Sequence, residues 1–278
     1  MANKGLSRRE ALRRAGGAFL AGMGAAGVSA CAMGAKSGGK MAATTQRNSM
    51  APGDKDVLQF GAAGDGTTLD TAAIQRAIDA AAGTRGGRVI IAGRRKYLIG
   101  SLLLRTGIEL HLAEGASLVL SDKRADYAGS DANGGIALAA NGAENFRITG
   151  GGTIEGRSPL FMERYDPVGE WWKPKRWRPR VIALTECRGI EIRDITIQQA
   201  PSWTLHLLGC EHVLIDGVNI QNQLDVPNCD GIDPDHCRDV IISNCRIVCG
   251  DDAVAIKTTR QARDYGPCAN ITVKDCNI

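Results

Sequence analysis

The residues best suited to chemistry are three aspartates in two short segments. One segment reads Asn228-Cys229-Asp230-Gly231-Ile232-Asp233-Pro234, the other Gly250-Asp251-Asp252-Ala253-Val254-Ala255-Ile256-Lys257. Both set carboxylates beside alternating apolar residues of the kind that fill a core strand. Three carboxylates gathered in one place do not all keep ordinary pKa values, because like charges favour leaving a proton on one of them. A protonated acid beside ionised partners is the equipment of acid–base cleavage at a glycosidic bond.

The elements that would bring these segments together are repeats. Residues 187–197, 210–220, 237–247 and 268–278 align on the cysteines that head them, Cys187, Cys210, Cys237 and Cys268, and residues 143–154 form a looser copy. Each copy has apolar positions two apart, a Gly/Asp/Asn turn, and two further apolar positions. A coil of several short strands cannot bury its apolar side chains alone, but stacked coils can. The chain is therefore read as all-β: a right-handed parallel β-helix, a single-stranded solenoid. Equivalent residues then form columns one strand spacing apart, roughly 4.8 Å. The leading cysteines would make one such column of small buried thiols.

The stack also gives a register for the aspartates. Ile232 over Val254 puts Asp230 directly over Asp252. One coil earlier, Leu205 joins the core column, Trp203 comes next to the aspartates, and His206, Asp233 and Ala255 form a parallel column. Strict alternation would turn Asp230 and Asp252 into the apolar core, at high cost. Both are expected instead at a bend or bulge facing a cleft, with Gly231 and Gly250 easing the geometry. By the same alternation Lys257 points outward.

Elsewhere the chain divides simply. Residues 1–31 read as a signal peptide: Ser7-Arg8-Arg9-Glu10-Ala11-Leu12 resembles a twin-arginine export motif, and Val28-Ser29-Ala30-Cys31 a bacterial lipobox that would lipidate Cys31 and anchor the chain to a membrane. Ordinary cleavage after Ala30 is the plainer alternative. The protein is thus expected to be exported in a bacterium, to the periplasm, the outer membrane or the medium. Residues 32–54 lack periodicity and read as a flexible linker. Residues 55–278 form the β-helix domain. It opens with a short capping helix at Thr71–Ala82, with Ile74, Ala77, Ile78 and Ala81 on one face. Asp70 or Thr71 would cap this helix, and Gly83, Gly86 and Gly87 would end it. No further helix is read. The tract from Glu170-Trp171-Trp172-Lys173 to Trp177-Arg178-Pro179-Arg180 is aromatic and basic, fitting either a loop over the cleft or a loop packed on the coils.

Charge and cysteine usage narrow the function classes. The net charge of +4 comes from the first thirty residues, which hold Lys4, Arg8, Arg9, Arg13 and Arg14 against Glu10. Without them the chain is neutral, so nucleic acid is not an expected partner. No Cys/His spacing fits zinc, and neither metal nor cofactor is read. Export permits disulfides among the cysteines, with no pairing assignable.

The residues also resemble glycoside hydrolase family 28, the polygalacturonase family. The resemblance rests on Phe60-Gly61-Ala62 with Asp65-Gly66, on Ala73-Ile74-Gln75-Arg76-Ala77-Ile78, on Gly152-Thr153-Ile154-Glu155-Gly156, on Pro201-Ser202-Trp203-Thr204-Leu205-His206, and above all on the two aspartate segments. Cys229 stands where the family usually has Thr. The resemblance implies a monomeric, inverting hydrolase of pectic polysaccharides. In it Asp251 donates the proton, while Asp230 and Asp252 hold and activate water. Asn228, Asp233, Lys257, His206 and Trp203 are the candidate substrate-binding residues. It also implies a Gly-His-Gly and an Arg-x-Lys segment on further coils, so the sequence is expected to be part of a longer chain. Two other readings stay open: a β-helix lyase using calcium on the aspartates, and a non-catalytic carbohydrate-binding β-helix.

Overall fold

Short apolar runs, met once per turn of the chain, build three parallel sheets in the computed structural model, which describes residues 53–83, 87–128 and 135–278. The export segment with Cys31, the linker up to residue 52 and Gly86 lie outside the described residues. Residues 50–278 form one unit. Each coil adds a strand to an eight-stranded sheet, then to a seven-stranded sheet, and from Leu102–Leu103 onward to a five-stranded sheet. Strand order in every sheet follows chain order, which is the topology of the expected right-handed parallel β-helix.

The cysteine-headed repeats mark one edge of this stack. The strands Arg188–Arg193, Glu211–Asp216, Arg238–Ser243 and Ala269–Lys274 each begin one residue after a leading cysteine, and Arg188, Glu211, Arg238 and Ala269 are in register. The thiols therefore stack. All eight described cysteines are free, so the disulfides that export would permit do not form among them. Instead Cys210 Sγ donates to Leu184 O at 3.4 Å and Cys237 Sγ to Leu207 O at 3.3 Å. The column Ile192–Ile215–Ile242 is fully buried, as is Ile197–Ile220 in the seven-stranded sheet.

Corners between strands need left-handed backbone. Asp194, Gly217, Asn244 and Asp275 follow in-register strand ends, and all have φ between 52° and 66°. Gly, Asn and Asp adopt that conformation most cheaply, which explains the Gly/Asp/Asn turn in every repeat.

The capping helix spans Thr71–Ala82 and buries Ala73, Ile74, Ala77, Ile78 and Ala81 against the first strands. Asp70 holds the expected N-cap position and its backbone carbonyl accepts from Ile74 N at 3.0 Å, but its side chain makes no capping bond: the carboxylate accepts from Ala63 N at 2.6 Å and Gly64 N at 3.0 Å. Thr71 Oγ1 accepts from Gly100 N at 2.7 Å. Both side chains tie neighbouring loops to the cap. Later helical structure also exists, as single 3₁₀ turns at Arg124–Asp126 and Ser158–Phe161, too short to leave a periodic signal.

The aromatic and basic tract leaves the stack as an antiparallel hairpin, Met162–Asp166 with Trp171–Pro174. Its continuation packs back on the coils: Trp177 meets Phe161 and Tyr127 edge-on, with centroids 5.4 and 5.7 Å away. Among the described residues no helix is long and apolar enough to cross a membrane.

If the columns carry the stability, Ile215→Ala should lower the unfolding free energy by about 2–5 kcal/mol. Urea titration followed by circular dichroism measures this, and an unmoved midpoint would contradict it.

Candidate active site

The five-stranded sheet sets the register of the site. Leu205–Leu208 pairs with Ile232–Asp235, placing Leu205 beside Ile232 and His206 beside Asp233. The next coil joins by two bridges, Ile232 to Val254 and Asp235 to Lys257. Thr204 N donates to Asp230 O at 3.0 Å and Gly231 N to Asp252 O at 2.9 Å. Asp230 thus lies over Asp252 and beside Trp203, in the register read from the sequence.

Close stacking at this point demands glycine. A Cβ on Gly231 would sit 2.4 Å from Ala253 O, and one on Gly250 would sit 2.7 Å from both Gln223 O and Leu224 O. Both glycines sit at bends, as expected; neither has positive φ, and what each supplies there is room. Between them, Cys229 Sγ donates to Val226 O at 3.0 Å and accepts from Gly250 N at 3.1 Å. Burial pushes its thiol up to about 12, so it serves as a neutral donor and acceptor.

Nearest carboxylate oxygens of Asp230, Asp251 and Asp252 all lie within 4.8 Å of one another. Asp251 is oriented by two amides, accepting from Asn228 N at 3.0 Å and from Asp252 N at 3.1 Å. Asp251 and Asp252 are exposed, whereas Asp230 is only 3% exposed. Asp230 is thus a buried side chain bordering two exposed carboxylates, and the expectation that Lys257 points outward is corrected. The Lys257 ammonium is turned back to Asp230 Oδ2 at 2.8 Å and Asp233 Oδ1 at 3.2 Å, above the Trp203 ring at 4.9 Å. This cation offsets the cost of burying Asp230, the term that simple alternation leaves out. The spacing of the three carboxylates would admit a cation, and Lys257 already supplies one positive charge to Asp230.

Asp233 has no exposed surface, and neither of its oxygens receives a well-aligned hydrogen bond. Burial first, then the charge of Asp230, pushes its carboxyl up to about 7 against the pull of Lys257. Lys257 itself is held above the ordinary lysine range: burial works against its charge, but the bond to Asp230 and the Asp233 and Asp230 charges outweigh it.

A second buried network lies alongside. Arg180 Nη1 donates to His206 Nδ1 at 2.6 Å, and His206 Nε2 is 3.3 Å from Asp235 Oδ2. Arginine cannot accept, so Nδ1 is the bare nitrogen and the proton sits on Nε2, facing Asp235. Burial holds the His206 pKa below its usual value. Burial also raises Asp235, but bonds from His206 and Thr259 overcome it and bring this carboxyl to about 2. His206 is thereby part of the wall, with Trp203 edge-on to it at 4.9 Å. The Asn228 loop is stapled by Arg178, which donates to Pro201 O at 3.0 Å, Pro227 O at 2.5 Å and Asn228 Oδ1 at 2.7 Å.

Arg178 and Arg180 belong to the basic tract read from the sequence as a loop either over the cleft or packed on the coils. Sequence reasoning missed Asp235 and Thr259. Asp235 follows Asp233 by two residues and so shares its face. Thr259 meets the site only through the stack.

The Asp233 shift has a definite sign for stability. Below 3.8, its ordinary value, folded and unfolded chains both hold the proton. As pH rises from there toward 7 the unfolded chain releases a proton that the folded chain keeps, so stability falls. Asp233→Asn should flatten that stretch of the stability–pH curve, as read by denaturant midpoints across it. An unchanged slope would contradict the assignment.

Comparison with known proteins places this geometry in a lineage. The profile of Glycosyl hydrolases family 28 matches residues 99–278. A protein named probable polygalacturonase from Vitis vinifera is 34% identical over 218 residues, covering 73% of this chain and 44% of that protein. The crystal structure of a hyperthermoactive exopolygalacturonase from Thermotoga maritima superposes with a TM-score of 0.68 at 28% identity, over 80% of this chain and 59% of that one. A family 28 exopolygalacturonase from Yersinia enterocolitica superposes with a TM-score of 0.69 over 82% of this chain and 49% of that one, a likeness of fold alone at 24% identity. The chain spans less than half the length of the curated relative. Because the family match runs through every coil that carries the three aspartates, the chain belongs to glycosyl hydrolases family 28.

Proposed function

We propose that the protein hydrolyses glycosidic bonds in pectic polysaccharides of the galacturonan type. The observation that carries this reading is the convergence of Asp230, Asp251 and Asp252, with nearest oxygens within 4.8 Å, inside the family's own motif. A probable polygalacturonase and an exopolygalacturonase are among the proteins it resembles, which supports a galacturonan substrate.

In this mechanism Asp251 donates a proton to the leaving oxygen. Its two amide contacts hold it at the exposed rim, where a glycosidic oxygen can reach it. Asp230 and Asp252, one over the other, hold the attacking water. Asp230 Oδ1 has no hydrogen-bond partner in the chain, which suits an acceptor waiting for water. Asn228 and Trp203 border this space; Asp233, His206 and Lys257 support it from behind. Inverting enzymes usually separate acid and base by roughly 6.5–9.5 Å. Spacing between nearest oxygens is shorter here, but a covalent route through Asp230 is poorly served by a buried carboxylate already bonded to Lys257. Inversion is the outcome that the family resemblance implies, and the anomer of the first product decides it. Export through the twin-arginine segment, and anchoring through Cys31, complete the proposal and rest on the sequence of residues 1–31.

The full chain should release reducing ends from polygalacturonate or a substituted pectic polymer, without the unsaturated product of a lyase. Proton NMR of the first product should show the inverted anomer. Asp251→Asn should lower kcat by about 10²–10⁴-fold. Full activity in that variant would overturn the hydrolase mechanism, and a retained anomer would overturn inversion.

A further inference from the structure

Lys257, Asp230 and Asp233 form a buried group of one cation and two acids, and such a group is electrically neutral only when one acid keeps its proton. Two unlike partners compete for the single ammonium. Asp230 Oδ2 takes a true hydrogen bond from it at 2.8 Å. Asp233 Oδ1 is farther, at 3.2 Å, without an aligned bond, and its side chain has no exposed surface. Asp230 is the better-solvated and better-bonded of the two, so it is the cheaper place for the negative charge. We propose that Lys257 is a positioning residue that selects Asp230 as the anionic member of the pair and leaves the proton on Asp233. Asp230 Oδ1 is then an ionised acceptor aimed at the water it shares with Asp252.

Other groups around the pair do not reverse this choice. Asp252 adds negative charge from the next coil and acts on Asp233 in the same sense as Asp230, while Asp251 is the proton donor of the proposed mechanism. Arg178 lies across the Asn228 loop and feels Asp230 and Asp251. His206, beside Asp233, is neutral on the tautomer argument above, and the Cys229 and Cys249 thiols are both pushed up by burial. Trp203 flanks the ammonium, with its ring centroid 4.9 Å away. The raised carboxyl of Asp233 agrees with the geometry.

This inference rests on the hydrolase reading, but its test does not rest on that alone. In the full chain, Lys257→Met should move the acidic limb of the kcat/KM–pH profile upward by about one unit, a tenfold loss at fixed pH on that limb. Lys257→Arg should bring it back, which a merely structural role would not require. Carbon-13 NMR of the aspartate carboxyls near pH about 6, where ordinary carboxyls are ionised, should show Asp233 protonated and Asp230 ionised in the unmodified protein. In Asp230→Asn, which leaves the ammonium to Asp233 alone, Asp233 should ionise. An unmoved limb in folded Lys257→Met, or a protonated Asp230 beside an ionised Asp233, would overturn the proposal. The NMR arm decides the matter even if Lys257→Met does not fold. If the protein cleaves no pectic polymer the hydrolase reading fails, while the spectra still show which acid holds the proton.

Discussion

In a stack of parallel coils each side chain sits over its equivalent in the next coil, one strand spacing away, and the rest of this structure answers to that constraint. For apolar residues the consequence is favourable: Ile192, Ile215 and Ile242 seal one another from water. For charged residues it is hazardous, because a carboxylate placed once is close to a second in the neighbouring coil. Asp230 over Asp252, with Asp233 beside His206, is that hazard realised at the site.

The molecule meets the hazard with cations drawn from neighbouring coils. Lys257 comes from the coil after Asp230 and Asp233, and Arg180 from the coil before His206. Neither cation is adjacent in sequence to the group it serves. Each side chain crosses one strand spacing to reach an otherwise costly buried partner. The same logic works with neutral donors in the column of cysteines, where the thiols of Cys210 and Cys237 each find a carbonyl of the previous coil.

This explains which parts were legible in the sequence. Columns were: the cysteine-headed repeats, the alternation of isoleucines and the Gly/Asp/Asn corners all recur, and recurrence survives without coordinates. The pairing of Ile232 with Val254 followed from the same repeat, so the stacking of Asp230 on Asp252 followed too. What failed was direction at single, non-repeating residues. Lys257 was read as outward because alternation says so, yet it joins the sheet by an isolated bridge, and its long side chain folds back to the acids. Asp70 was read as a helix cap because of its position, yet two unpaired loop amides nearby claim its carboxylate. In both cases a tertiary partner outweighed a local rule.

The contrast between the two buried networks shows how the site divides its labour. Asp235 receives donors on both oxygens, from Thr259 and His206, and is thereby fixed as an anion with no further partner to seek. Asp230 receives a donor on one oxygen only, and its other oxygen stays buried and unsatisfied. An unmet acceptor beside two exposed carboxylates is costly as structure. It is intelligible as a place held for a water molecule, so an unsatisfied atom of the stack lies where the chemistry is proposed to occur.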